Sequence, residues 1–300
     1  MPEEQRAPEI ERGRESFIGP GGIKLFEHWW RPRDEARATV VLVHGLKDHG
    51  SRYSHVGDWF ARQGYATHSL DLRGHGESDG ERFFVERFDE YVEDVDFFVA
   101  RVLEKGPEKP LFLLGHSMGG TVASLFVLSR RPDLRGLVLS APALESSENV
   151  SPVLIWLSGV ISRFFPRAPV TKVDVKALSH LPRVVEAARK DPLSNERPAP
   201  ARTGYEILQS MSRIRERAPE ITLPLLIMHG TEDHLTNPQG SERLFKLASS
   251  EDKELKLYEG FYHEILNEPE QERVLQDITD WLDARSQPPS SQNRQYSNFE

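Results

Sequence analysis

The stretch "LFLLGHSMGGTVASLFVL", residues 111–128, constrains the fold more than any other part of this chain. Residues 111–114 are apolar without interruption, the pattern of a short strand buried on both faces. From Thr121 onward apolar residues recur at helical spacing. The chain must therefore turn from strand to helix within a few positions around Ser117. A turn that sharp strains its middle residue and needs small neighbours two positions before and after. Gly115 and Gly119 meet that need and complete a G-x-S-x-G match. The serine hydroxyl then stands above the sheet, where the first N–H groups of the new helix also point. The same residues also read as a glycine-rich turn with a helix-capping serine, and the rest of the chain decides between the two.

Strand and helix patterns alternate along most of the sequence. Strand patterns fall at 24–30, 38–43, 66–70, 134–140, 225–229 and 255–258, besides the one at 111–114. Helical patterns fall at 53–62, 91–103, 240–248 and 271–284, besides the one after the elbow. Such alternation predicts an α/β fold with a mostly parallel central sheet, helices on both faces, and ligand bound at the carboxyl ends of the strands. Residues 1–14 and 286–300 are polar and biased in composition, and are expected to be disordered around a domain at 15–285.

One interruption, about 143–219, is too long for a connection and carries helical patterns of its own, so it reads as a cap inserted in the domain. In "VSPVLIWLSGVISRFF" one apolar stripe runs through Val150, Val153, Leu154, Leu157, Val160, Ile161 and Phe164. Ile155, Trp156 and Phe165 lie off the stripe and give a second apolar surface. One reading is a cap helix buried on two sides. The other is a lid, with one face over the site and Ile155 and Trp156 touching lipid.

The chain's 300 residues contain no cysteine, which excludes disulfides, thiolate zinc sites and cysteine nucleophiles. A formal charge of −9, with no long basic run, argues against a nucleic-acid partner. The acidic start is unlike a secretory signal, and no apolar run approaches the ~20 residues that span a bilayer. A cytoplasmic protein is expected, with peripheral membrane contact left to the cap. "HGLKDH" lacks the second histidine of an H-x-H-x-D-H metallohydrolase pattern, so neither a metal nor a cofactor is expected.

A serine hydroxyl is a poor nucleophile near neutral pH and needs a base, which needs an orienting acid. On hydrolases with such an elbow the chain order is serine, acid, histidine, each on a loop after its own strand. Asp233 follows the strand "LLIMHG" and His263 follows "ELKLYEG", in that order. Glu232 is the rival acid, His234 adjoins the acid too closely to be the base, and His229 reads as structural. Acyl transfer also needs two backbone N–H donors for the developing oxyanion. Met118, just after the nucleophile, is one candidate, and Leu46, after Gly45 in "VVLVHG", is the other.

"VVLVHGLKDHGSRY", "GYATHSLDLRGHGESDG", "LLGHSMGG", "LIMHGTEDHLTNP" and "YEGFYHEILNEP" together resemble the monoacylglycerol lipase group of α/β-hydrolases, also described as lysophospholipase or serine aminopeptidase-like. The resemblance runs from about residue 15 to 285 and includes "DPLSNE" in the cap. It implies a serine ester hydrolase with Ser117, Asp233 and His263 as the triad and Leu46 and Met118 as the oxyanion hole. It also implies a lipid ester substrate, a hydrophobic acyl channel under a lid, and a polar pocket for the alcohol. Where such proteins carry Glu before the loop histidine, this chain has Asp48. Asp48 and Arg52 are the candidates for the alcohol pocket, against the plainer reading of a surface ion pair. Competing readings are a proline iminopeptidase-type peptidase, which needs cap carboxylates such as Glu186 or Glu196, and a non-catalytic receptor on the same scaffold. Dehalogenase and epoxide hydrolase chemistry would need Asp at the elbow.

Overall fold

A computed structural model describes residues 9–106, 110–145, 152–171, 173–194 and 197–286, without the side chains of 152–156 and 171. Eight strands form one sheet: β1 (Ile10–Ile18), β2 (Lys24–Pro32), β3 (Ala38–Val43), β4 (Tyr65–Asp71), β5 (Leu111–His116), β6 (Gly136–Ser140), β9 (Leu225–Gly230) and β10 (Lys253–Tyr258). Their order is β1-β2-β4-β3-β5-β6-β9-β10. β2 runs antiparallel to both neighbours, and every pairing from β4 to β10 is parallel. The strands carrying chemistry therefore all end on one side.

Two faces of the sheet follow from the two-residue period of its strands. Val41, Val43, Leu113, Leu139 and Ile227 join one buried cluster with α2 (Asp89–Lys105) and α3 (Met118–Arg130). Val40, Leu42, Phe112, Leu114, Val138 and Met228 join the other with α1 (Ser54–Arg62) and α8 (Gln271–Ser286). Burial on both sides explains why these strands read as continuous apolar runs.

The N-terminal boundary differs from expectation. Disorder was expected through Arg14, yet β1 begins at Ile10 and pairs along its length with β2. Of its side chains only Phe17 is buried, and Glu11 stands opposite Arg31 with an ion pair between them. An edge strand held by its backbone and dressed with charge has no hydrophobic period to detect. At the other end α8 includes Ser286, one residue into the expected tail. Residues 1–8 and 287–300 lie outside the described residues.

Between β6 and β9, over the stretch read from sequence as a cap, lie α4 (Pro152–Phe164), α5 (Pro182–Lys190), α6 (Ala201–Arg217), and a two-stranded ribbon of β7 (Pro169–Thr171) and β8 (Ala199–Pro200). α4 rests on α6, where a Cβ at Gly159 would lie 3.1 Å from the Tyr205 ring. Leu157 and Phe164 of the apolar stripe are 41% and 67% exposed, and Phe165 is 68% exposed. Over its described part, then, α4 is not buried on two sides. The side chains of Ile155 and Trp156 lie outside the described residues. α7 (Pro238–Leu247) follows β9.

Candidate active site

Each of the three candidate residues stands just past the end of its own strand. β5 ends at His116 and α3 begins at Met118, so Ser117 is the whole turn. Its backbone, at φ 55° and ψ −124°, lies where a side-chain-bearing residue pays about 1–3 kcal/mol. The surroundings hold it there. Ser117 N donates to Ser140 O at 3.0 Å, and Ser117 O accepts from Gly120 N at 2.9 Å and Ala143 N at 3.0 Å. A side chain at 115 would run into the Gly119 carbonyl, and one at 119 into the carbonyls of Val43 and His44. The glycines are there for space.

Gly230 does the same work at the end of β9. A Cβ there would strike the carbonyls of Phe261 and Tyr262, so glycine lets the loop carrying His263 close over the loop carrying Asp233. His263 Nδ1 then lies 2.7 Å from Asp233 Oδ2, and His263 Nε2 lies 2.9 Å from Ser117 Oγ. With the Nδ1 proton donated to the carboxylate, the Nε2 lone pair faces the serine hydroxyl. That is the arrangement a base needs to take the hydroxyl proton.

Asp233 is buried and fully engaged. Oδ1 accepts from Leu235 N (2.8 Å) and Thr236 N (3.0 Å), while Oδ2 also accepts from the Thr236 hydroxyl (2.7 Å) and His229 Nε2 (3.1 Å). Burial opposes its ionisation, but His263 and His229 outweigh that, and its carboxyl lies well below the usual range. His263 shows the mirror image: burial lowers its pKa, Asp233 raises it more, and the net direction is up. Glu232 is exposed, as is His234. His116, whose ring lies 4.8 Å from that of His263, is driven down to about 3 by burial and by His263, so it stays neutral.

The loop after β3 comes close to the nucleophile. A Cβ on Gly45 would sit 3.0 Å from Ser117 Cβ. His44 fixes this loop: its Nε2 accepts from Leu72 N at 3.0 Å, so its Nδ1–H donates to Gly45 O at 2.8 Å. Met118 is the first residue of α3, where an N–H has no acceptor within the helix. Leu46 and Met118 both line a pocket of about 230 Å³ that opens on Ser117 and His263.

Part of that pocket's lining is apolar, with Val173, Val175, Leu178, Ile207 and Met211 from the cap. Another part carries charge. Arg52, 16% exposed at its side chain, bonds Asp48 Oδ1 (3.0 Å) and both oxygens of Glu264 (2.8 and 2.9 Å). Asp48 Oδ2 accepts from the Tyr53 hydroxyl at 2.7 Å. Burial works against Asp48, yet Arg52 prevails and holds its carboxyl below the usual range. The plainer reading of a surface ion pair therefore fails, since Asp48 and Arg52 belong to a largely buried cluster that lines the pocket.

Two contacts escaped the sequence reading. His229, read there as structural, is the second histidine on Asp233, and its place four residues before that acid was the available signal. His49 Nε2 lies 2.6 Å from Asp191 Oδ2, which ties the cap to the loop after β3. "DPLSNE" starts at Asp191, but nothing in one sequence pairs it with a histidine 142 positions away. Glu186 is exposed and pairs with Lys190 on its own helix, and Glu196 lies outside the described residues. Among the described residues no His, Asp and Glu side chains cluster so as to hold a metal ion. No described helix is long and apolar enough to cross a membrane.

The Hydrolase_4 family, described as Serine aminopeptidase, S33, matches residues 34–270. This chain belongs to that family of α/β-hydrolases. A monoacylglycerol lipase of Mycolicibacterium smegmatis is 38% identical over 271 residues, 90% of this chain and 97% of the relative. The monoglyceride lipase of Rattus norvegicus is 32% identical over 272 residues, 90% of each chain. The crystal structure of Paleococcus ferrophilus monoacylglycerol lipase superimposes with a TM-score of 0.77 at 30% identity, covering 92% of this chain and 99% of that one. The chain is a serine ester hydrolase.

Proposed function

We propose that this enzyme cleaves single-chain lipid esters, monoacylglycerol foremost, into fatty acid and alcohol. Ser117 Oγ attacks the ester carbonyl while His263 Nε2 takes its proton. Asp233 keeps His263 in the right tautomer and stabilises the imidazolium that forms. The N–H groups of Leu46 and Met118 receive the oxyanion. His263 then returns its proton to the leaving alcohol, and water repeats the sequence on the acyl-enzyme. The apolar cap lining takes the acyl chain, and the exposed Phe164 and Phe165 of the cap meet the lipid surface that presents it.

One observation carries the choice of alcohol: the charged cluster Asp48–Arg52–Glu264 lines the same pocket as Ser117. Buried groups held in place by one another offer fixed partners to the hydroxyls of a glycerol headgroup, a gain that a substrate without hydroxyls forgoes. Monoacylglycerol should therefore exceed the methyl ester of the same acid in kcat/KM. Asp48→Ala should reduce that ratio about 5- to 30-fold, equivalent to about 1–2 kcal/mol. A ratio near one in the unaltered enzyme would remove the hydroxyl-pairing pocket from the account. Equal loss on both substrates would make Asp48 a support for the oxyanion loop.

A further inference from the structure

Beyond the reactive pocket lies a second cavity of about 210 Å³, set between α6 and α7 and floored by Leu144, Leu208, Ile214 and Leu244. Two residues, Glu145 and Met211, line both spaces. Glu145 stands five residues after β6, where a Cβ at Gly240 would lie 2.9 Å from its own Cβ, so the start of α7 presses directly on it. One carboxylate oxygen takes Arg243 at 3.1 Å, and the other is buried with no hydrogen-bond partner among the described residues. Arg243 itself lines only the second cavity. The apolar lining near Ser117 thus meets a charge at Glu145, and the space beyond it has a mixed lining, with Gln209, Ser212 and Arg215 beside the leucines.

We propose that the Glu145–Arg243 pair is a polar partition that sets the upper acyl length of this enzyme, with the α6–α7 cavity as a blocked extension of the acyl site. The inference rests on the ester-hydrolase reading above. While an alkyl chain lengthens within the apolar part, each methylene leaving water adds about fourfold to kcat/KM. A methylene that reaches Glu145 must instead desolvate a carboxylate, and the gain per carbon ends there. Unlike a wall of packed side chains, a partition of this kind leaves room behind it.

The test is the chain-length profile of kcat/KM for a series of saturated monoacylglycerols. The unaltered enzyme should rise with length to a break and then level or fall. Glu145→Leu/Arg243→Leu removes both charges together and orphans neither, and it should move the break to chains several carbons longer. Glu145→Gln guards against misfolding of the double variant. It keeps the shape, loses the charge, and should raise the ratio of kcat/KM just past the break to that just before it several-fold. A break at the same length in a double variant of normal melting temperature overturns the proposal, as does an unchanged ratio in Glu145→Gln. An unaltered enzyme inert at every chain length overturns the ester-hydrolase reading and this inference with it.

Discussion

Asp233 and Glu232 are neighbours in sequence with opposite surroundings, and the difference decides which can serve a histidine. Asp233 accepts from two backbone N–H groups, the Thr236 hydroxyl and two imidazoles, while Glu232 faces solvent. Asp233→Asn should cost roughly 10³–10⁴-fold in kcat by favouring the wrong His263 tautomer, and Glu232→Gln should cost little. Steady-state rates with a soluble ester check the ranking, and the reverse order would move the acid by one residue. The pH profile carries the same logic. His263 acts as base only when neutral, and its pKa is raised above 6.5 because Asp233 outweighs burial. The acid limb of kcat/KM should therefore inflect above pH 6.5, with activity rising as pH rises through it. In Asp233→Asn the burial remains without the opposing charge, so the residual activity should show that limb at lower pH. A limb unmoved by the substitution would separate His263 from Asp233.

The cap is the element in which sequence and structure part most. That this stretch is more than a connection was legible, because about 75 residues with helical patterns of their own are too many for one, and the structure has α4, α5 and α6 there. The use of its apolar stripe was not legible, since periodicity gives a face and not what covers it. Leu157 and Phe164 share the stripe with Val160 and Ile161, yet the first two are exposed and the others half-buried. Two exposed phenylalanines at one end of α4 suit a lipid surface, where their transfer from water is worth about 2–4 kcal/mol together. Phe164→Ser/Phe165→Ser should weaken sedimentation with phosphatidylcholine vesicles and slow hydrolysis of dispersed long-chain monoacylglycerol. A soluble short ester should be hydrolysed about as before. Equal losses on both substrates, or unchanged sedimentation, would remove the cap surface from lipid contact. The edge strand β1 taught a similar lesson: its pairing is written in backbone geometry, and its charged side chains conceal it.

Across the molecule, legibility followed the physics that shaped each part. Strands β3, β5 and β9 announced themselves because both faces are buried, and the elbow because only glycine fits at 115 and 119. Chain order then located Asp233 and His263. The Arg52–Glu264 and His49–Asp191 pairs remained hidden, since they join residues 212 and 142 positions apart that only the folded sheet brings together. The finished pocket joins an apolar cap lining and a charged cluster to one serine. That layout calls for an ester with one long acyl arm and one small polar arm. For a peptide's free amino terminus the cap carboxylates are poorly placed: Asp191 is engaged with His49, Glu186 lies outside the pocket, and Glu145, which lines it, is paired with Arg243. The most direct measurement is therefore kcat/KM for a monoacylglycerol against an aminoacyl-anilide, in the unaltered enzyme and in Ser117→Ala. The account predicts that the monoacylglycerol wins by orders of magnitude and that its turnover falls about 10⁴–10⁶-fold in Ser117→Ala. Preferred cleavage of the anilide, or more than a tenth of the activity surviving in Ser117→Ala, would contradict it.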